Sequence, residues 1–297
     1  MLDDIDIIIP TYNRSNELSI TLKILLDFGF TQSQIYVYDD SSTEDTKTLI
    51  KQDFSSINYH KPTLPGLGVI VARNHLWSLT TRPFVLSLDD DSAPQNIETI
   101  LNAVNILKNN QQAGVFAFNI HEGIQLPPAK EMTKLTTRPV RLFTACGCIF
   151  TRDLIESLKY YAWGPLYFHG EELDCSLRAT QANFEIITCD DLVVHHRVDW
   201  TKRNLKVWGK YGKIWRSASG FSANLIIALK YYPIGIDILF IVKYTLMRFY
   251  EYLIKRGHFL GFILGLLRFI LLAPKTLLNM NKLGLNTFKN WIILPTK

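Results

Sequence analysis

The strongest constraint on this chain is the regular alternation, over its first 120 residues, of short apolar runs with stretches of helical period. Asp6–Pro10, Gln34–Asp39, Pro83–Leu88 and Gly114–Ile120 are brief and rich in β-branched and aromatic residues, the pattern of buried strands. Between them, Ser15–Phe28, Thr43–Lys51, Val69–Leu79 and Gln95–Asn109 read as helices; Leu18, Leu22, Leu25 and Leu26, for example, share one face. A β-α-β-α order predicts an α/β domain, a largely parallel sheet with helices on both faces. Ligands of such sheets bind beyond the carboxyl ends of the strands. The turns Thr11–Arg14, Asp39–Ser42 and Asp89–Ser92 each follow a strand, so all three are expected along one edge.

One of these turns carries Asp89, Asp90 and Asp91 in succession. A solvated turn accounts for single aspartates, because the side chain bonds nearby backbone groups. Three together repel one another, and a hard divalent cation, which takes oxygen ligands, is the physical alternative.

The chain has 297 residues, 47% hydrophobic and 20% charged, enough for a substantial core. Its charge is split. Residues 1–200 hold 16 Lys and Arg against 25 Asp and Glu, whereas residues 201–297 hold 16 against Asp237 and Glu251 alone. This divides the chain into an acidic body, 1–200, and a basic helical region, 201–297, that points towards an anionic partner. Ala223–Met247 is interrupted by Lys230, Pro233, Asp237 and Lys243, and Phe259–Ala273 contains Arg268. Both fall short of the ~20 uncharged apolar residues of a spanning helix. Amphipathic helices lying in an anionic headgroup layer are therefore expected, with packing on the body or in a homodimer as the alternatives. Residues 121–141 are polar and proline-containing and read as a mobile loop over the site. Leu142–Val198 reads as α+β, with a helix over Glu171–Ala182 and strands at Phe184–Thr188 and Leu192–His195. Cys146, Cys148, Cys175 and Cys189 lack zinc-site spacing and are expected to be reduced thiols, and the acidic start MLDDIDIII does not read as an export signal.

The segments IDIIIPTYNR, IYVYDDSS, VARN, LSLDDDSAP, TACGCIFTRD, GEELDCSLRA and VVHHR occur in this order. In order and spacing they resemble the family 2 glycosyltransferases, inverting enzymes with the GT-A fold, a Rossmann-like mixed sheet flanked by helices. The similarity is greatest to the rhamnosyltransferase-like branch and covers about residues 5–200. It implies a nucleotide-sugar donor, a UDP- or dTDP-sugar, and a glycan or lipid-linked acceptor. It also implies Mg²⁺ or Mn²⁺ at the acidic turn, where the cation stabilises charge on the departing diphosphate.

On that resemblance Asp91 and Asp89 hold the metal, while Asp89 or Asp90 faces the ribose or completes the metal's water shell. Pro10, Thr11, Tyr12 and Asn13 line the nucleobase pocket, where Tyr12 is placed to stack on the base. Asp39 and Asp40 accept from the base or ribose, although Ser41 replaces the glycine usual in that turn. Arg73 supplies a fixed cation to the base or diphosphate, and His75 stands where the family has a small residue, crowding the pocket. Glu172 aligns with the general base, one methylene longer than the usual Asp, and Glu171 is the alternative. Gly147 and Asp174 are placed on the acceptor side, with Asp174 also suited to pairing with Arg178. Adjacent strand residues point to opposite faces, so one of His195 and His196 faces the site; His195 is the preferred metal or diphosphate contact.

Two other functions compete. A sugar nucleotidyltransferase calls for a glycine-rich, basic loop after the first strand, which PTYNRSNE is not. A non-catalytic nucleotide-sugar-binding module at a membrane has no use for Glu172. The acidic sheet domain argues against nucleic acid as a partner. A cytoplasmic, peripheral position at the inner face of the plasma membrane follows from the basic helices.

Overall fold

The computed structural model describes the chain except residues 127, 129–134, 200–208, 256–258 and 297. Among the described residues nine strands form one sheet. The strands β1 (Ile5–Thr11), β2 (Ile35–Asp39), β3 (Asn58–His60) and β4 (Phe84–Leu88) are parallel, in the order β3-β2-β1-β4. Beyond β4 the sheet turns mixed. With β5 (Ser92–Pro94), β6 (Ala113–Glu122), β7 (Arg138–Val140), β8 (Gly147–Thr151) and β9 (Glu185–His196), the order continues β8-β6-β9-β5, and β7 also pairs with β9. β8 is antiparallel to both β4 and β6, and β5 to β9, while β6 and β9 are parallel.

β1 shows why its sequence is continuously apolar. Ile8 faces one core with Trp77, Val85 and Phe150, and Ile7 and Ile9 face another with Leu22, Leu86 and Phe116. A strand buried on both faces has no polar alternation to offer. The helices α1 (Ser15–Asp27), α2 (Asp45–Asp53), α3 (Val69–Leu79) and α4 (Ile97–Lys108) fall where the periodicity places them. Asn96 caps α4 by accepting from the Thr99 amide at 2.9 Å. After α5 (Arg152–Leu158), α6 (Glu171–Gln181) leads into β9.

β9 corrects one expectation. The two strands anticipated over Phe184–Thr188 and Leu192–His195 are one strand, whose register against β6 jumps from Cys189 opposite Phe118 to Val193 opposite Asn119. The polar pair Asp190 and Asp191, which suggested a turn, sits in this irregularity. β3, only three residues and half-buried, left no apolar run to detect. Of the loop anticipated over 121–141, His121 and Glu122 extend β6 and Arg138–Val140 form β7, while its middle lies outside the described residues.

The remaining helices are α7 (Gly209–Tyr231), α8 (Ile236–Tyr250), α9 (Phe259–Leu278) and α10 (Leu285–Ile293). Ala223, Ile226, Ala228 and Tyr231 of α7 share a core with Trp77 and Phe150 of the sheet domain. The charge boundary at residue 201 is therefore no break in packing. α9 lies on α7 through Gly265, where a Cβ would come within 2.8 Å of the Ala218 carbonyl oxygen and of Phe221. The apolar stretch anticipated to end at Ala273 continues through Pro274 to Leu278, so α9 has 20 residues, long and apolar enough to cross a membrane. Its outer side is bare: Leu267, Ile270, Leu271 and Leu278 are all exposed.

Candidate functional site

A cleft of about 830 Å³ opens at the carboxyl ends of β1 and β4. Pro10, Thr11, Tyr12, Asp40, Arg73, Asp89 and Asp90 line it from the sheet edge, and Glu171 and Glu172 line it from the start of α6. The sequence-derived residues thus converge on one place, with exceptions given below.

The acidic turn is compensated by the chain's own cations. Arg14, in the turn after β1, reaches Asp90 at 2.8 Å and Asp91 at 2.6 Å, and Thr11 Oγ1 donates to Asp90 at 2.8 Å. Arg73 pairs with Asp89, and His196 Nε2 lies 3.2 Å from Asp91. Burial pushes the Asp90 carboxyl up to about 7 against the pull of Arg14. Burial also works against Asp91, but there His196 and Arg14 outweigh it and hold the carboxyl below its usual range. Arg14 escaped the sequence reading, although a triple-Asp turn demands a countercharge and an arginine follows β1 on the same edge.

The wall expected to receive the nucleobase is tied down by its own hydrogen bonds. Asp40 accepts from the Leu67 and Gly68 amides at 2.9 and 2.8 Å, pinning the loop that enters α3. Asp39 is fully buried, accepts from the Tyr59 hydroxyl at 2.7 Å and from the Ser41 amide at 3.0 Å, and does not line the cleft. Asn13 turns through φ 55° and binds Ser41 and Ser42, so it braces the neighbouring turn rather than facing the cleft. Ser41 is thus an acceptor for the Asn13 amide where a glycine has nothing to offer. Tyr12 is half-exposed at the cleft wall. His75 does not crowd the pocket; it is exposed and packs edge-on against His60 and Tyr38.

Three further expectations change. His195 faces away, its Nε2 2.7 Å from the Gly123 carbonyl, and it is His196 that enters the cleft. Asp174 is fully buried: it accepts from Arg178 Nε at 2.9 Å, the Trp163 amide at 3.1 Å and the Tyr231 hydroxyl at 2.7 Å, so it locks α6 to α7 instead of meeting an acceptor. At Gly147 a Cβ would sit 2.5 Å from Ile120 Cδ1 and 3.1 Å from Val194, which makes its bareness a requirement of strand packing. Cys146, which precedes it, does line the cleft.

Glu171 and Glu172 open α6 after Gly170, whose φ of +86° and 2.8 Å approach of a would-be Cβ to Ile227 both demand glycine. Burial and then the neighbouring Glu172 charge raise Glu171 to about 8. Burial raises Glu172 as well, opposed by Arg73 and by the Ala145 amide, which Glu172 Oε1 faces at 3.4 Å. Two carboxylates at one buried helix start share their protons, so they titrate as a pair. Arg73 favours the anion at both positions and ranks higher among the influences on Glu172 than on Glu171.

The ligand atoms of Asp89, Cys146 and His196 lie within 4.8 Å of one another, close to twice a metal–ligand bond. Burial keeps the Cys146 thiol protonated well above its usual range. The donors suited to a hard cation are therefore Asp89 and His196, with Asp91 hydrogen-bonded behind His196. All four cysteines are buried free thiols.

The sequence profile described as Glycosyl transferase family 2 matches residues 6–157. No curated protein matches significantly. Among solved structures, S. aureus TarS (residues 1–349) aligns with a TM-score of 0.59 at 17% identity over 92% of this chain and 82% of its own. The Pyrobaculum calidifontis mannosyltransferase PcManGT, in complex with GDP-Man and Mn²⁺, gives 0.55 at 16% over 97% and 78%. GalNAc-T7 with UDP, GalNAc and Mn²⁺ gives 0.64 at 13% over 83% and 53%. These likenesses show the GT-A fold.

Proposed function

Because this chain belongs to glycosyl transferase family 2, we propose that it transfers a sugar, with inversion, from a UDP- or dTDP-sugar to a hydroxyl of a glycan or lipid-linked acceptor. The carrying observation is that one cleft holds a cation–carboxylate pair at Arg73 and Asp89 together with two carboxylates, Glu171 and Glu172, within reach of the Arg73 charge. Glu172 takes the proton of the acceptor hydroxyl as that oxygen bonds to the anomeric carbon. The bond to the diphosphate breaks, and its electron pair leaves with the diphosphate. Arg73, buried and fixed, faces the charge that develops there. A divalent cation, when bound, would be held by Asp89 and His196, with Asp91 orienting His196 from behind, and would supply Lewis-acid neutralisation of that charge. The Mn²⁺ present with PcManGT and GalNAc-T7 and the UDP-GlcNAc bound by TarS support both ligands. The test is thermal shift with a panel of nucleotide sugars. UDP- or dTDP-sugars with Mn²⁺ are expected to raise the melting temperature, and Asp89→Ala to remove the response. A wild-type chain indifferent to every nucleotide would overturn the assignment.

The basic region would hold the enzyme against an anionic membrane face, as a peripheral protein of the cytoplasmic side. Bare apolar residues on α8 and α9, among them Leu239, Leu246, Leu271 and Leu278, support this, as does the near absence of acids. Co-sedimentation with phosphatidylglycerol vesicles is expected, and to weaken severalfold with phosphatidylcholine or in 0.5 M salt. A dimer that leaves vesicles untouched would instead assign these faces to a second copy.

A further inference from the structure

Part of the cleft wall is built by helices that the sequence sets apart from the acidic body. Arg268 reaches it from α9, and Arg216 and Trp215 from α7, so these three share the cleft with Glu171 and Glu172. Arg268 donates to Ser222 Oγ at 2.6 Å, to the Pro165 carbonyl at 2.9 Å and to the Leu166 carbonyl. All three partners are neutral, and among the described residues no carboxylate pairs with it. A guanidinium withdrawn from water calls for an anion. The carbonyls that it grips belong to the loop that leads into the Glu171–Glu172 helix start, so the cation braces that loop.

A second observation points the same way. His169, between that loop and the carboxylate pair, has its imidazole pushed down to about 4 by burial and then by the charges of Arg216 and Arg268. Two guanidiniums thus bear on one imidazole, two residues before the carboxylate pair. The planar fork of an arginine matches the oxygens of a phosphate. Leu267 and Leu271, flanking Arg268 on α9, are 50% and 78% exposed, so a bare apolar surface begins one helical turn from the guanidinium.

We propose that Arg268, together with Arg216, is the recognition site for a phosphate group of the acceptor, which makes the acceptor a phosphate ester and not a neutral glycan. The assignment of that phosphate to an acceptor rests on the transferase function above; the anion site itself does not. A phosphate held there leaves a neighbouring hydroxyl free to meet Glu172, and an alkyl chain on the ester has the α9 surface beside it.

The site is tested on the full chain by titration calorimetry with octyl phosphate, octyl glucoside and inorganic phosphate, below the micelle-forming concentration. Octyl phosphate is expected to bind at least tenfold more tightly than octyl glucoside, and Arg268→Gln to remove that preference. Inorganic phosphate competing at similar concentration would identify free phosphate chemistry as sufficient, and failure to compete would assign recognition to the lipid-attached ester; either outcome supports an anion site. Equal binding of octyl phosphate and octyl glucoside by the wild type would overturn the proposal, as would an Arg268→Gln chain that keeps the preference. Because Arg268 also braces the 165–166 loop, Arg268→Lys, which retains the charge without the fork, is the second variant; it is expected to keep part of the preference and would oppose the proposal by matching a neutral substitution. UDP titration of the wild type is read separately, so that loss of the nucleotide assignment and loss of the phosphate site give different results.

Discussion

Replacing Glu172 by Gln is expected to lower transfer by 10²- to 10⁴-fold, the usual contribution of a positioned general base, while UDP still binds. The wild-type rate should also depend on pH in a definite sense. The base acts as an anion, and burial raises both members of the Glu171–Glu172 pair, Glu171 to about 8. Activity is therefore expected to climb with pH on the acidic side, from above the ordinary carboxylate range, and then to level off, and Glu172→Gln to flatten that climb. A wild-type profile without an acidic limb would mean that neither carboxylate takes the proton. Stability should run the other way. Glu171 binds its proton more tightly folded than unfolded, where the value is near 4.5. The native state thus holds more protons than the unfolded state between about 4.5 and 8, and stability falls as pH rises through that window. Glu171→Gln is expected to be more stable than wild type at pH 8, by about 1 kcal/mol.

Asp174→Ala is expected to be the most destabilising single change in the domain. Asp174 is fully buried and is the only described anion beside Arg178 and Lys230, whose Nζ lies 3.8 Å from it. Removing one partner of a buried ion pair costs roughly 3–5 kcal/mol, because the remaining charge is stranded. For a chain of this size that lowers the melting temperature by about 10 °C. Tyr231→Phe removes one hydrogen bond to the same carboxylate and should cost about 1 kcal/mol. Unaltered melting of Asp174→Ala would show that α6 and α7 are not joined through this residue.

The parts of the site that were legible in the sequence are those fixed by chain direction. Thr11, Asp40 and Asp89 each follow a strand, and a parallel sheet brings such positions to one edge whatever the loops do. The Glu171–Glu172 turn was legible through its helix start. Side-chain orientation was not. His195 and His196 are equivalent in composition and adjacent in sequence, and only the pairing of β9 with β5, His196 against Ser92 and His195 against Ala93, decides which one turns inward. Asp174 looked like a site residue because its partners, Trp163 and Tyr231, are 11 and 57 residues away and reach it only after folding. Arg216 and Arg268 were invisible for the same reason: their helices read as amphipathic surface, and nothing local shows that one side of each closes a cleft.

The contact of Gly170 with Ile227 and Ala223 bears on how such enzymes can be recombined. The residue at which the chain enters the Glu171–Glu172 helix start is moulded against a helix from the C-terminal region. A chimera that exchanged the last 90 or so residues for those of another transferase would therefore inherit a misfitted hinge under its own Glu171–Glu172 pair, unless positions 170 and 174 travelled with the graft.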